Sequence, residues 1–217
     1  MSEELKAYTF GPLSGQAPKQ IVILLHGLGA NGQDLLGLAP EYAQALPDTV
    51  FVSPDAPFAC DMAPMGYQWF SLLDRDPDKI LAGIKTASPI LENFIEQQLE
   101  KYGLGADKLA LVGFSQGTMM SLYFGPRYKS QIAGIMGYSG ALIWDQETAI
   151  DALKKPPVNL VHGEADNVVS IEAYYNAREV LESSGFNVTG HTTPHLMHGI
   201  DGDGIDSGRE FLKTVLT

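Results

Sequence analysis

The chain has 217 residues, 45% of them hydrophobic, with 14 Lys plus Arg against 26 Asp plus Glu, a net charge of −12 with neutral histidines. That length suits one α/β domain over residues 1–217, and the acidic balance repels phosphate backbones and anionic headgroups, so nucleic-acid binding is disfavoured. The longest aliphatic run is too short for stable membrane insertion, Cys60 is the lone cysteine, and Met1-Ser2-Glu3-Glu4 shows no secretory pattern, which together predict a cytoplasmic protein.

In chain order, Ala7 to Phe10 reads as an edge strand. Ile21 to Leu25 is continuously aliphatic, the pattern of a strand buried on both faces of a parallel sheet. A glycine-rich loop, His26-Gly27-Leu28-Gly29-Ala30-Asn31-Gly32, follows it, and Asp34 to Leu46 reads as a helix. Val50 to Ser53 is a second strand, closed by Pro54. Ser88-Pro89 predicts a helix start, serine as N-cap and proline in the first turn, with Ile90, Leu91, Phe94, Ile95 and Leu99 on one face and Gly103 as the stop. Lys108 to Val112, Ile132 to Met136, Val158 to Val161 and the less apolar Asn187 to Thr192 are further strands. Thr118 to Phe124, Ile171 to Leu181 and Gly208 to Leu216 are further helices. This alternation predicts a mostly parallel central sheet with helices on both faces. Sites in such sheets form beyond the carboxyl ends of the strands. Four strand ends carry polar or glycine-rich residues: His26-Gly27, Gly113 to Gly117, Ser139-Gly140 and His162 to Asp166.

The second of these, Gly113-Phe114-Ser115-Gln116-Gly117, joins a strand to a helix, and a serine between two glycines at such a junction is the mark of a nucleophile elbow. The turn is too sharp for side chains at the glycine positions, and it lifts the serine hydroxyl above the sheet. Serine needs a base, usually a histidine oriented by a carboxylate, and in this arrangement the order is Ser, Asp or Glu, then His. Asp166, after the strand ending at His162-Gly163, takes the carboxylate position, with Glu164 as its rival. His198 is favoured as base over His195 and His191, because Gly199, Gly202 and Gly204 give it a flexible approach. An acyl-transfer site also needs two backbone N–H donors for the oxyanion. The Gln116 amide, at the start of its helix, is one candidate, and the His26–Gly32 loop supplies the other. That loop could pass for a phosphate cradle, but no Gly-Lys-Ser/Thr follows it and no Gly-x-Gly-x-x-Gly is present. Cys60 has neither an elbow nor a base, and His195 with His198 alone makes no zinc site.

His26-Gly27-Leu28-Gly29, Trp69-Phe70, the Ser115 elbow, Ser139-Gly140, His162-Gly163-Glu164-Ala165-Asp166 and His198 together resemble the phospholipase/carboxylesterase family, over nearly the whole chain. The resemblance implies an α/β-hydrolase fold with a minimal cap domain or none, and a Ser115–Asp166–His198 triad. It implies an oxyanion hole from the Leu28 and Gln116 amides and neither metal nor organic cofactor. It also implies an acyl pocket shaped by the stretch from Phe58 to Asp76, where Trp69, Phe70 and Met65 are the expected lining, and a homodimer as one assembly. Asn167 stands where the family usually has proline, and Met197 where it commonly has glycine. The expected activity is hydrolysis of small-molecule esters of short to medium acyl chains through an acyl-enzyme. The alternatives are an acyl-protein thioesterase or lysophospholipase with the same triad and, in a different class, a non-catalytic α/β-hydrolase homologue that binds a small ligand.

Overall fold

A computed structural model describes residues 5–145 and 147–217; the Met1–Glu4 stretch read above for a leader lies outside them. The aliphatic runs form the middle of a seven-stranded sheet. Its strands are β1 (Ala7–Phe10), β2 (Gln20–Leu25), β3 (Thr49–Pro54), β6 (Leu109–Phe114), β7 (Gly134–Tyr138), β8 (Val158–Gly163) and β9 (Val188–Thr193). A separate small hairpin pairs β4 (Phe58–Ala59) with β5 (Tyr67–Gln68). The order across the large sheet is β1-β3-β2-β6-β7-β8-β9, with β1 antiparallel to β3 and every other pair parallel.

The two-residue period of a strand sends Ile21, Ile23 and Leu25 to one face of β2 and Val22 and Leu24 to the other. On the first face they meet α3 (Pro77–Tyr102), α4 (Gln116–Arg127) and α5 (Ile171–Ser183). On the second they meet α1 (Gly32–Leu36), α2 (Ala39–Ala43) and α6 (Gly202–Leu216). Each such aliphatic side chain, buried completely, stabilises the fold by about 1.5–3 kcal/mol. The mostly parallel sheet covered on both faces is the architecture expected of an α/β-hydrolase. Between β3 and α3 the regular structure is confined to the β4–β5 hairpin. Among the described residues no helix is long and apolar enough to cross a membrane.

Three helix boundaries differ from the sequence reading. The single helix expected over Asp34 to Leu46 is two short ones. Asn31 caps the first by accepting from the Gln33 and Asp34 amides, and Pro40, which has no N–H to donate, lies in the first turn of the second. Ser88-Pro89 lies inside α3, which starts at Asp76-Pro77, an equivalent cap-and-proline signal. Ile84 and Ala87 are buried ahead of Pro89, and their packing keeps the earlier turns helical. The last helix starts at Asp201, whose carboxylate accepts from the Gly204 amide at 2.8 Å. Gly202 and Gly204 are therefore helical and do not form a flexible approach to His198.

Candidate active site

Ser115 is the single residue between β6 and α4, and its backbone sits at φ 54° and ψ −115°. For a residue with a Cβ this positive φ costs on the order of 1–3 kcal/mol, which the surroundings must offset. Its N–H donates to the Tyr138 carbonyl (2.9 Å), and its carbonyl accepts from the Thr118 and Met119 amides. The flanking glycines are obligatory for a steric reason. A Cβ on Gly113 would lie 2.5 Å from the Gly117 carbonyl, and one on Gly117 would run into the Leu25 carbonyl of the neighbouring strand.

Asp166 follows the end of β8. At Gly163 the backbone is crossed by the Leu196–Met197 carbonyls, so a side chain there would displace the loop that carries His198. The Asp166 side chain is fully buried. Its Oδ2 accepts from His198 Nδ1 at 2.7 Å, and its Oδ1 accepts from the Val168 and Val169 amides at 2.8 and 2.9 Å. Burial pushes the carboxyl pKa up, but the His198 and backbone hydrogen bonds outweigh it and hold the group below its ordinary value. Asp166 is thus a carboxylate at neutral pH. Glu164, the rival, is exposed and accepts from Thr192 Oγ1 (2.8 Å). His195 is exposed in a left-handed turn, and His191 lies within β9.

With Nδ1 engaged by Asp166, His198 keeps Nε2 for other chemistry. His198 and Ser115 line the same cavity, and the imidazole packs 4.8 Å from the Phe114 ring. A residue given no role by the sequence supports this arrangement. His162, buried at the end of β8, donates from Nε2 to the Val169 carbonyl (2.8 Å) and lies 3.4 Å from Asp166 Oδ2. It fastens the turn that presents the Asp166 carboxylate. The His162-Gly163 pair at a strand end was its one visible signal.

The Gln116 amide opens α4, where first-turn N–H groups have no partner inside the helix. Leu28 lies on the same cavity, in a loop tied down on every side. Gly29 N–H donates to the Tyr67 carbonyl and Tyr67 N–H to the Ala30 carbonyl, both at 2.9 Å. His26 accepts from the Ala56 amide through Nε2 (2.9 Å), which fixes the proton on Nδ1, facing the Gly27 carbonyl at 2.7 Å. Burial, the largest influence, depresses the His26 pKa and keeps this ring neutral. The Trp69 indole N–H donates to the His26 carbonyl (3.0 Å). The Gln116 side chain spans to the same segment: its Oε1 accepts from the Trp69 amide (2.8 Å), and its Nε2 donates to the Phe70 carbonyl (2.7 Å).

These bonds overturn the expected pocket lining. Trp69 is 0% and Phe70 1% exposed, and their hydrogen bonds to the His26 carbonyl and the Gln116 carboxamide brace the loop and the elbow. Met65, between β4 and β5, is 80% exposed and also off the cavity wall. The cavity at Ser115 holds about 390 Å³, and its apolar walls are Met62, Leu72, Ile80, Met119, Val168 and Val169. A second cavity of about 300 Å³ shares Gly27, Ala30 and Phe114 with it and extends to Leu35, Leu38 and Ile200. A larger groove of about 720 Å³ lies against α6 and contains none of Ser115, Asp166 or His198. Among the described residues no three His, Cys, Asp or Glu side chains converge as metal ligands would.

A family model described as phospholipase/carboxylesterase matches residues 13–216. Acyl-protein thioesterase 1 of Gibberella zeae is 30% identical over 212 residues, 90% of each chain. Esterase YpfH of Escherichia coli is 28% identical over 195 residues, covering 90% of this chain and 82% of its own. Among solved structures, that of esterase PE8 superposes with a TM-score of 0.92 at 38% identity, covering 99% of this chain and 100% of its own.

Proposed function

Because the chain belongs to the phospholipase/carboxylesterase family, we propose that it hydrolyses carboxylic esters through an acyl-enzyme formed on Ser115. The observation that carries the assignment is the Ser115 elbow opening on one cavity with His198, whose Nδ1 is bound to the buried Asp166 carboxylate. Ser115 Oγ attacks the ester carbonyl while His198 Nε2 takes its proton. Asp166 holds the imidazole in the required tautomer and stabilises its charged form. The Leu28 and Gln116 amides receive the oxyanion, each worth about 3 kcal/mol in the transition state. His198 returns the proton to the leaving alcohol, and a water attacks the acyl-enzyme by the same route. The cavity of about 390 Å³ suits acyl chains of short to medium length.

A second reading has a specific observation behind it. The Gibberella zeae relative is an acyl-protein thioesterase, and a thioester offers the same triad the same carbonyl with a better leaving group. The acidic balance and single cysteine favour a cytoplasmic setting. The deciding experiment compares rates on matched ester and thioester series of increasing acyl length. Ser115→Ala should abolish both activities together with labelling by a fluorophosphonate. Undiminished hydrolysis in that variant would refute the mechanism.

A further inference from the structure

The cavity at Ser115 has one Lys, Arg, Asp or Glu side chain on its wall, Arg75. Among the described residues no carboxylate pairs with it, although acidic residues flank it on both sides. Asp74 is taken by Lys79 Nζ at 2.5 Å and by the Asp76 amide at 3.0 Å. Asp76 caps α3 by accepting from the Asp78 amide at 2.9 Å. Five further cations, Lys19, Lys85, Lys129, Arg178 and Arg209, each have a carboxylate oxygen within 2.9 Å, and none of the other lysines or arginines left without one lies on this cavity. In a chain of net charge −12, a guanidinium whose acidic neighbours are committed elsewhere, on the wall of the reaction cavity, is set apart.

We propose that Arg75 recognises an anionic oxygen group on the substrate, remote from the scissile carbonyl, so that the preferred esters are anions. This rests on the ester-hydrolase reading above. Arg75 shares its stretch of wall with Leu72 and Ile80, and Met119 and Val169 complete an apolar lining. Such a lining accepts a methylene stem, while the planar guanidinium fork matches a carboxylate or phosphate with two parallel hydrogen bonds. The acidic protein as a whole repels an anion, so Arg75 acts at close range as a selector of substrates already in the cavity, not as a long-range attractor. A carboxylate would come from the far end of a dicarboxylic acyl group. A phosphate would come from a glycerophosphate leaving group.

The test measures kcat and KM for two matched pairs: the p-nitrophenyl esters of hexanoic acid and of adipic acid, and a monoacylglycerol against the corresponding monoacylglycerol phosphate. The wild type should favour the charged member of one pair. Arg75→Gln should lower that charged-to-neutral ratio of kcat/KM about tenfold through KM, and Arg75→Lys should restore part of it. The wild-type preference should also fade as salt is raised. A shift confined to the adipate pair puts the anion on the acyl group; one confined to the phosphate pair puts it on the leaving group. Equal ratios in the wild type and Arg75→Gln for both pairs would make Arg75 a solvated surface residue and overturn the proposal. Turnover of the neutral esters that survives Ser115→Ala would instead overturn the hydrolase reading, a separate failure.

Discussion

The two sides of the reaction cavity are built by opposite means. On the elbow side the backbone dictates the residues: Ser115 stands at φ 54°, and neither Gly113 nor Gly117 has room for a Cβ. On the other side, between β3 and α3, the backbone sets few terms. A short hairpin and irregular chain present Met62 and Leu72 to the cavity and leave Met65 in solvent. In the proposed mechanism the first side is the fixed device that polarises the carbonyl. The second is a surface that side-chain exchange can retune without disturbing the sheet. In that mechanism chemistry and substrate preference are thus separable, and they meet at Gln116, whose amide opens α4 beside Ser115 and whose carboxamide grips Trp69 and Phe70.

The largest effects should come from the fixed side. Asp166→Asn would leave a side chain of the same shape but would set the wrong His198 tautomer, so kcat should fall about 10⁴-fold with little change in KM. Circular dichroism and thermal melting should show the fold retained. A loss appearing in KM instead would mean that Asp166 serves binding, and the division between the two sides would fail. Gln116→Ala is next and probes the seam. It keeps the backbone N–H but strands the Trp69 amide and the Phe70 carbonyl without their partners, a cost of about 1–3 kcal/mol for each buried group. Stability should drop by that order in urea unfolding. If kcat on a small ester falls further than the destabilisation explains, the pocket wall also tunes the oxyanion site.

How far the sequence disclosed each side follows from the same contrast. The elbow, the order of Asp166 and His198 behind it, and the buried strands were legible because steric exclusion and aliphatic patterning leave marks on residue type. Trp69 was not, since an indole suits a pocket and a brace equally. Only the pairing of β4 with β5, the Gln116 carboxamide and the His26 carbonyl decide which it is. The start of α3 was ambiguous for a like reason, with Asp76-Pro77 and Ser88-Pro89 carrying the same local signal and the burial of Ile84 and Ala87 choosing between them. His162 was visible as a residue, but its hold on the Val169 carbonyl depends on a turn no local pattern encodes.

On the adjustable side the effects should be smaller and confined to preference. Leu72→Ala enlarges the cavity, and the optimum acyl length should move upward, changing the ratio of rates for chains one methylene apart about tenfold. Trp69→Phe, at a residue with no place on the wall, should leave that ratio alone and lower stability by at least about 1–3 kcal/mol, because the buried His26 carbonyl loses its partner and the smaller ring leaves a cavity. A chain-length profile that shifts with Trp69→Phe would show that the brace transmits its shape to the pocket.

The smallest effect is a pH slope that belongs to the fixed side alone. His26 is buried and neutral in the folded protein, its pKa depressed first by loss of water; the Gly27 hydrogen bond and the charges of Asp55 and Asp34 oppose this only in part. In the unfolded chain the same ring titrates at about 6.5. Between the two values the unfolded state binds the extra proton, so stability falls as the pH falls. His26 therefore contributes its full share above about pH 6.5 and loses it progressively below, toward the lower folded-state value. A glutamine can accept from Ala56 and donate to Gly27 without titrating. Melting temperatures of His26→Gln should accordingly fall less steeply between pH 7 and pH 5 than those of the wild type. Parallel slopes would mean that another group governs acid lability, and that the His26 ring can take up a proton without loosening the loop that carries Leu28.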